Sequence, residues 1–416
     1  MRRRLMLSAV PVLLAAGLAP LHNNVASASG PAPAANRAAG TASTDFYRAP
    51  SPLPFGAPGT VIRSRSATVA LGPGAPAVRA STVMYHSRTT ADRDVAVTGT
   101  VLTPTSAWTG HGARPVVGFA VGTQGPGPQC APSKQLLSGS EYENSNINQA
   151  LSRNWAVTVT DYEGYTTGST PTYVTGRSEG HAVLDAVRAA QHVTGSGVSR
   201  TAPLLLWGYS QGGGASAWAT VLQPAYAPDL HLLGDASGGV PADSRAVGES
   251  LNGNVGAAFL LYSLSGFAAA YPQQVPLYSH LNADGQAAFA AIRTQCTAQS
   301  LGMYAGKDLS QYFKDMTVTQ FGDIPSVRQV EDDNTITTKP ELPKVPVLQY
   351  HGLADEIVPL GQARTLHATW CAKGVTTVFL GFSGEHLTTN AQAAPVAVQF
   401  LADRLSTKPV VGSCLT

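Results

Sequence analysis

Two pentapeptides in this sequence place a serine between two glycines in the pattern Gly-x-Ser-x-Gly. They are GYSQG at residues 208–212 and GRSEG at residues 176–180. The pattern is typical of a nucleophile elbow, a tight turn between a strand and a helix that presents a serine hydroxyl for attack on a carbonyl carbon. A chain with 42 glycines is expected to produce such a pattern by chance, so the flanking residues must decide between the two.

The flanking residues favour Ser210 as the nucleophile. It follows PLLLW at residues 203–207, which is typical of a buried strand, and it precedes small residues that allow a helix to pack closely under a sheet. Ser178 instead follows a polar stretch and opens an amphipathic helical pattern at residues 179–193. We therefore interpret Ser178 as the N-cap of that helix.

A serine nucleophile needs a base and an orienting acid, and in α/β-hydrolases both follow the serine, with the acid first. Asp355 comes just after VPVLQY, a predicted strand at residues 345–350. Its carboxylate is therefore expected at the sheet edge towards which Ser210 also points. The adjacent Glu356 is a rival that we rank below Asp355, because a solvated loop carboxylate would explain it equally well.

His386 is the predicted general base. It follows the last predicted strand, at residues 376–382, and it comes after Asp355 as the fold requires. Three other histidines are less suitable, because two fall within predicted helices and one precedes the acid. These three are His181, His367 and His351.

Two backbone N–H groups are needed to bind the oxyanion of an acyl-transfer reaction. The first is expected from Gln211, the residue after the nucleophile. The second is expected from Thr123 or Gln124, in the loop GTQG that follows the strand-like run PVVGFAV at residues 115–121. A simple glycine-rich turn would have the same sequence, so the identity of the second donor is not decided by the sequence.

Strand-like and helix-like segments alternate along the chain, which predicts an α/β fold with a mainly parallel central sheet. Nearly continuous apolar or β-branched runs are typical of strands buried on both faces. The predicted strands are residues 68–71, 80–85, 95–102, 115–121, 155–160, 203–207, 345–350 and 376–382. The predicted helices in this alternation are residues 179–193, 361–371 and 390–405.

Residues 241–338 do not follow the alternation. They include the uncharged run VGAAFLLYSLSGFAAAY at residues 255–271, whose central serines and glycine argue against a transmembrane helix. We predict a helical cap or lid inserted between two parts of the hydrolase core, at residues 46–240 and 339–416. The apolar run would cover an acyl pocket or contact a lipid interface, and packing within a core explains it equally well.

The beginning of the chain is typical of an export signal. Arginines at residues 2–4 precede an apolar stretch at residues 5–18, and ASA at residues 26–28 offers a cleavage site. The apolar stretch is shorter than the roughly 20 residues of a bilayer span. We therefore predict a signal peptide at residues 1–28, a flexible leader at residues 29–45, and a secreted chain without a transmembrane anchor.

Composition argues against several classes of protein. With 27 basic and 25 acidic residues, the 416-residue chain has no charge pattern for binding nucleic acid. It has no metal-binding or nucleotide-binding motif, so we expect no metal and no cofactor, and we expect a monomer. Four widely spaced cysteines in an exported chain indicate two disulfides, with three pairings open. The cysteines are Cys130, Cys296, Cys371 and Cys414.

Several of these stretches together resemble the secretory lipase family of actinobacteria and fungi, the Candida antarctica lipase A-like group. The resembling stretches are DFY at 45–47, GTQG at 122–125, CAPS at 130–133, DYEG at 161–164, GRSEG at 176–180, GYSQGG at 208–213, GVPAD at 239–243, and Asp355. They extend over nearly the whole mature chain. The resemblance implies an α/β-hydrolase core with a helical lid that acts on carboxylic esters, often triacylglycerols.

The resemblance also implies roles for individual residues. It assigns the triad to Ser210, Asp355 and His386, which agrees with the reasoning from the motifs. It implies two disulfides, Cys130–Cys296 and Cys371–Cys414.

One position departs from the family pattern. Bacterial members often have His-Gly-Thr where this chain has Val121, Gly122 and Thr123. The backbone donors survive this change, but any role of the missing imidazole in positioning the oxyanion loop is lost.

The leading hypothesis is therefore a secreted serine esterase or lipase acting on a small-molecule or lipid ester. An acyltransferase or a hydrolase of small amides would use the same triad, because the lid and pocket select the acceptor. A non-catalytic lipid-binding protein on a hydrolase scaffold is a third hypothesis, which a broken triad would favour.

Overall fold

The structure is a computed structural model that describes residues 45–414. The predicted signal peptide and residues 29–44 of the predicted leader lie outside the described residues. Their export role therefore stays a prediction.

Nine strands form a single sheet in the described part of the chain. They are β1 (Val61–Ala67), β2 (Val78–Arg88), β3 (Asp94–Pro104), β4 (Val116–Ala120), β5 (Ala156–Thr160), β6 (Pro203–Tyr209), β7 (His231–Gly238), β8 (Val347–Gly352) and β9 (Thr377–Phe382). Their order across the sheet is β1-β2-β3-β5-β4-β6-β7-β8-β9. The pairs from β5 to β9 are parallel and the pairs from β1 to β5 antiparallel. The predicted mainly parallel sheet is confirmed.

Thirteen α-helices accompany these strands in the residues that the structure describes. They are α1 (Pro132–Ser138), α2 (Asn144–Ser152), α3 (Gly176–Ala190), α4 (Gln211–Tyr226), α5 (Ser244–Leu251), α6 (Ala257–Ala270), α7 (Leu277–His280), α8 (Ala283–Ile292), α9 (Thr297–Tyr304), α10 (Val318–Gly322), α11 (Pro325–Asp333), α12 (Leu360–Ala372) and α13 (His386–Leu405). Short 3-10 helices lie at Pro128–Cys130, Leu309–Tyr312 and Ile336–Thr338. Helices α3 and α4 pack on each other and on the sheet, and α13 packs on β7, β8 and α2.

The central strands are buried as their apolar composition predicts. Every residue of β4 and β5 is buried, and so is every residue of β8. Trp207 on β6 and Phe119 on β4 are fully enclosed in an edge-to-face contact with ring centroids 5.3 Å apart. This core fixes the strand ends from which the candidate catalytic side chains project.

The helices from α5 to α11, which we call the helical insertion, lie between β7 and β8 and have a hydrophobic core of their own. Helix α6 comes from the uncharged run at residues 255–271 and is largely buried, with Leu261 and Tyr262 fully enclosed. Core packing therefore explains most of this run. In the described part of the chain, no helix is long and apolar enough to cross a membrane.

Two disulfides join the four cysteines in the pairing that the family resemblance implied. Cys130–Cys296 links the loop after β4 to the start of α9 in the helical insertion, with Cα atoms 5.5 Å apart. Cys371–Cys414 ties the chain end to α12, with Cα atoms 5.4 Å apart. The first bond joins cysteines that are 166 positions apart in the sequence, and it anchors the helical insertion to the core.

Two predicted strand positions differ from the structure. Residues 68–71 were predicted to be a strand, but the edge strand is β1, whose polar side chains are half exposed. Strand β7 was not predicted, because its sequence HLLGDASG is poor in β-branched residues. Its small residues have a packing reason: a Cβ at Gly238 would lie 2.1 Å from the ring of Tyr350.

Two helix starts also differ from the predictions. Ser178 is the third residue of α3 and not its N-cap, and its hydroxyl donates a hydrogen bond to the carboxyl group of Glu163. Helix α13 begins at His386 instead of residue 390, because Glu385 caps it by accepting from the N–H groups of Leu387 and Thr388.

Candidate active site

Ser210 lies in a sharp turn between β6 and α4. Its backbone has φ 61° and ψ −125°, a conformation that is strained for a residue with a side chain. The Ser210 N–H donates to the carbonyl oxygen of Gly238 at 3.0 Å, and its own carbonyl accepts from the N–H of Gly214 at 2.9 Å. The turn has the geometry expected of a nucleophile elbow, whereas Ser178 lies within regular helix.

The glycines around Ser210 allow three backbone segments to meet. A Cβ on Gly212 would lie 1.9 Å from the carbonyl oxygen of Ala120, and one on Gly208 would lie 2.1 Å from the carbonyl oxygen of Gly212. Both contacts are with backbone atoms, which cannot move aside as a flexible side chain could. The Gly-x-Ser-x-Gly pattern is therefore a packing requirement at this position.

Replacing Gly212 by alanine is expected to destabilise the protein by about 3 kcal/mol or more, since the new methyl group overlaps a central strand. Gly361→Ala is the matched control, because nothing lies within 4 Å of a Cβ there and the residue is in helix α12. Urea unfolding of both variants is the measurement. A Gly212→Ala protein as stable as Gly361→Ala would contradict this packing argument.

His386 connects Ser210 to Asp355 through its two ring nitrogens. Its Nε2 lies 2.9 Å from Ser210 Oγ, and its Nδ1 lies 2.8 Å from Asp355 Oδ2. The imidazole is buried, with 4% exposure, and packs against the ring of Tyr209 at a centroid distance of 5.0 Å. The structure therefore brings the three predicted triad residues into one continuous hydrogen-bond chain.

The Asp355 carboxylate is held by its own turn. Its Oδ1 accepts from the N–H groups of Ile357 and Val358 at 3.0 and 2.8 Å. Burial alone would raise the pKa of Asp355, but the hydrogen bond and charge of His386 and the Val358 amide outweigh burial and lower that pKa. The carboxyl group is thus kept in the charged form that orients an imidazole.

Two neighbours of this carboxylate take supporting positions. Glu356, the predicted rival acid, accepts from the backbone N–H of His386 at 3.1 Å and not from its ring. His351 is buried, and its Nε2 lies 2.8 Å from the carbonyl oxygen of Val358 and 3.4 Å from Oδ2 of Asp355. Burial lowers the pKa of His351, so it is a neutral support for the turn at Asp355.

The predicted oxyanion donors lie on two segments that meet at the elbow. The N–H of Gln211 precedes the first hydrogen bond of α4, which is made by Gly214, so it is free of the helical ladder. Thr123 and Gln124 are buried in the loop after β4. The Thr123 hydroxyl lies 2.7 Å from the hydroxyl of Tyr173. The choice between Thr123 and Gln124 stays a prediction.

A buried carboxyl group contacts the oxyanion loop at Gly122, the residue after Val121. Glu143 accepts from the N–H of Gly122 at 2.5 Å and from the side-chain amide of Asn390 at 2.9 Å. It therefore joins the oxyanion loop to α13, the helix that carries His386. Glu143 was not predicted, because a lone glutamate in a polar stretch carries no motif.

A pocket that is partly open to solvent extends from Ser210 into the helical insertion. Its walls are mainly aliphatic and aromatic, with contributions from α4, α5, α6, α11 and the turn after Asp355. They include Trp218, Val247, Leu251, Phe259, Leu264, Phe267, Val275, Val327 and Ile357. Besides Ser210 and Gln211, the polar residues in this lining are Tyr173, Glu179, Ser244, Ser263, Glu331 and Asn334. Such a pocket suits an apolar chain attached to a group that reacts at Ser210.

One group of three potential metal ligands lies together in the part of the chain described, namely His367, Cys371 and Cys414. Both sulfur atoms of this group are bonded to each other. A disulfide sulfur is not the thiolate that binds a metal ion, so this group does not form a metal centre.

Several carboxyl groups around the sheet are buried without a compensating cation. Burial raises the pKa of Glu143 and of Glu179 to about 8, and the pKa of Glu141 and of Asp235 to about 7. The folded state therefore holds protons that the unfolded chain releases near its ordinary carboxyl pKa. Stability from these groups is fully present below the unfolded pKa and is lost as pH rises through the folded values.

We expect the free energy of unfolding to fall by several kcal/mol as pH rises from about 5 to about 8, the interval between the unfolded and folded pKa values of these groups. Urea unfolding at several pH values measures it. Asp235→Asn, which removes one of these titrations, should make the decline shallower. A free energy that stays constant or rises over this range would contradict the pKa assignments.

Sequence comparison places the chain among lipases. The model of the family described as secretory lipase matches residues 132–413. Lipase 4 of Candida albicans is 32% identical over 302 residues, which cover 68% of this chain and 64% of that protein. The chain matches 58% of the length of Lipase 10 from the same yeast, at 35% identity. Secreted triacylglycerol lipase LIP5 of Malassezia furfur is 29% identical, with 74% of this chain and 82% of that protein covered.

Structural comparison points to the same fold. The closed state of Candida antarctica lipase A superposes with a TM-score of 0.79 and 26% identity, over 89% of this chain and 88% of that one. The cell wall degrading esterase LipA of Xanthomonas oryzae, at 18% identity, shares the fold with a TM-score of 0.70 over 85% of this chain and all of its own. The predicted α/β-hydrolase fold is confirmed. On the extent of the family match, the chain belongs to the secretory lipase family.

Proposed function

We propose that this protein is a secreted serine carboxylic-ester hydrolase, a lipase or esterase. The observation that carries the proposal is the hydrogen-bond chain from Ser210 through His386 to Asp355 at the mouth of an apolar pocket. A nucleophile, a base and an orienting acid in this order are the components of acyl transfer through an acyl-enzyme.

In the first half-reaction, Ser210 Oγ attacks the ester carbonyl carbon while His386 Nε2 takes the hydroxyl proton. His386 then gives this proton to the oxygen of the leaving alcohol, and the bond between the acyl carbon and that oxygen breaks. In the second half-reaction, His386 takes a proton from water, whose oxygen attacks the acyl carbon. The proton returns to Ser210 as the carboxylic acid leaves.

The negative charge on the carbonyl oxygen needs two donors during each attack. The backbone N–H of Gln211 is the first, since it stands outside the hydrogen-bond ladder of α4. Thr123 or Gln124 supplies the second from the loop after β4. Gly122 is not available for this role, because its N–H already donates to Glu143.

The pocket walls support an acyl chain as the group bound beside Ser210. Burial of each methylene of such a chain contributes about 0.8 kcal/mol. The name of the Malassezia furfur relative, a secreted triacylglycerol lipase, agrees with a lipid ester as substrate. Residues 241–338 then act as the cap over the acyl pocket, between core segments 46–240 and 339–416, and residues 1–28 direct export.

A fluorophosphonate probe and a series of p-nitrophenyl esters test this proposal, with Ser210→Ala as the control. We expect the probe to label Ser210 and hydrolysis to increase with acyl chain length beyond acetate. Absence of labelling at Ser210 in an active preparation would contradict the serine mechanism. Transfer of the acyl group to an added alcohol in preference to water would identify an acyltransferase instead.

A further inference from the structure

Glu179 is a buried carboxyl group whose hydrogen bonds both lie at the candidate active site. It is 2% exposed and lines the pocket beside Ser210. Its Oε1 accepts from the side-chain amide of Gln211 at 2.6 Å and from the backbone N–H of Val174 at 2.9 Å. Burying a carboxyl group costs free energy, which hydrogen bonds offset. The steps of ester hydrolysis described above do not use Glu179.

The first partner of Glu179 belongs to the nucleophile elbow. Gln211 directly follows Ser210, and its side chain is buried. Its backbone N–H is the donor expected at the oxyanion. The bond from Glu179 to the Gln211 side chain therefore limits rotation of the residue that carries this donor.

The second partner belongs to the segment that holds the oxyanion loop. Val174 has φ 53°, a left-handed conformation that is strained for a β-branched residue and needs support from its surroundings. The preceding residue is Tyr173, whose hydroxyl lies 2.7 Å from the hydroxyl of Thr123. Through these two residues the same carboxyl group is connected to the second expected donor.

Helix α3 packs closely on α4 through its glycines, and this packing keeps Glu179 at the elbow. A Cβ on Gly180 would lie 2.9 Å from the backbone nitrogen of Ala219, and one on Gly176 would lie 2.0 Å from the indole of Trp218. The second Gly-x-Ser-x-Gly sequence of the chain thus has a packing role. It places the glutamate of GRSEG beneath the serine of GYSQG.

We propose that Glu179 is a positioning residue for the oxyanion site, which holds the side chain of Gln211 on one side and the Tyr173–Val174 turn on the other. The proposal rests on the proposed serine hydrolase function. Glu179 does not touch the reacting atoms. It acts by keeping two backbone donors from separate segments at the spacing that a tetrahedral intermediate requires.

The charge state of Glu179 adds a consequence for pH. Burial raises its pKa to about 8, and the hydrogen bonds from Gln211 and Val174 oppose that effect only in part. The titratable groups facing it are three tyrosines of the segment after β5, together with Glu331 of α11 in the same pocket. The tyrosines are Tyr162, Tyr165 and Tyr173. None of these groups is a lysine or arginine that would neutralise the carboxylate, so ionisation of Glu179 adds a negative charge beside Gln211, the expected oxyanion donor.

Glu179→Leu and Glu179→Gln separate positioning from bulk packing. Leucine fills space without accepting a hydrogen bond, so we expect kcat for a p-nitrophenyl ester to fall about 10- to 100-fold with KM within about threefold. Glutamine can still accept from Gln211 and Val174, so Glu179→Gln should keep kcat within about threefold at pH 7. We expect kcat of the parent protein to decline above about pH 8 and Glu179→Gln to lose this decline.

Two further variants guard against a merely structural effect. Glu163→Gln alters a half-buried carboxyl group, which accepts from Thr172 and Ser178 but not from the elbow, and should leave kcat and its pH profile unchanged. Gln211→Met keeps the backbone donor but removes the side-chain contact, and should lower kcat. The double variant should lose no more activity than Glu179→Leu alone, because Glu179→Leu already removes the contact that Gln211→Met removes.

Fluorophosphonate labelling of the parent protein at Ser210 distinguishes a failure of the proposed function from a failure of the positioning role of Glu179. If the parent protein is not labelled, the proposed function fails and this inference fails with it. If the parent is labelled and active, a kcat for Glu179→Leu equal to the parent's would overturn the positioning role alone. A loss in Glu179→Gln as large as in Glu179→Leu, or fully additive effects with Gln211→Met, would also overturn it.

Discussion

Replacing His386 with alanine is expected to lower kcat for ester hydrolysis by about 10⁴- to 10⁶-fold. The imidazole is the group that lies within hydrogen-bond distance of both Ser210 Oγ and Asp355. Without it, Ser210 keeps its proton and remains a weak nucleophile. Steady-state hydrolysis of a p-nitrophenyl ester measures the change, and the rate of fluorophosphonate labelling should fall in parallel.

His367→Ala is the matched control for His386→Ala. His367 is likewise a histidine on a helix, although it is only half-buried, and it lies on α12 beside the Cys371–Cys414 disulfide. We expect this variant to keep kcat within about threefold. A His386→Ala protein that is folded and hydrolyses esters within tenfold of the parent would show that another group acts as the base.

Replacing Asp355 with asparagine is expected to lower kcat by about 10³- to 10⁴-fold with little effect on folding. The side-chain amide has nearly the same shape, but it cannot stabilise the charged imidazole and it favours the wrong tautomer of His386. The kcat of the purified variant, measured with the same esters, tests this expectation.

Glu356→Gln is the comparison that separates the two adjacent acids. Glu356 accepts from the backbone N–H of His386, and glutamine can accept the same bond through its amide oxygen. We expect a loss of less than about tenfold. If Glu356→Gln lost as much activity as Asp355→Asn, the assignment of the orienting acid to Asp355 alone would be wrong.

Much of the fold could be predicted because its central strands are uniformly apolar. The runs PVVGFAV and PLLLW correspond to β4 and β6, which are buried almost throughout. Strand β7 could not be predicted in the same way, because close packing by Tyr350 and α13 selects glycine, alanine and serine there. A buried strand is rich in large apolar residues where its neighbours leave space for them. It consists of small residues where neighbouring groups approach its backbone closely.

The candidate site was predictable where chemistry restricts residue type and chain order. Ser210, Asp355 and His386 satisfy both restrictions, and the structure joins them by two hydrogen bonds. Glu143 and Glu179 satisfy neither restriction. They contact the site from segments distant in sequence, and a single glutamate in a helix or loop gives no sign of the backbone amide or side chain that it will hold.

The central claim is that ester hydrolysis passes through an acyl group on Ser210. Rapid quenching of the protein with a short-chain p-nitrophenyl ester, followed by mass spectrometry of its peptides, measures this directly. We expect the acyl mass on the peptide that contains Ser210, appearing and decaying at rates that account for kcat, and absent from Ser210→Ala. An acyl group on a different residue, or continued hydrolysis by Ser210→Ala at the parent's rate, would contradict the account.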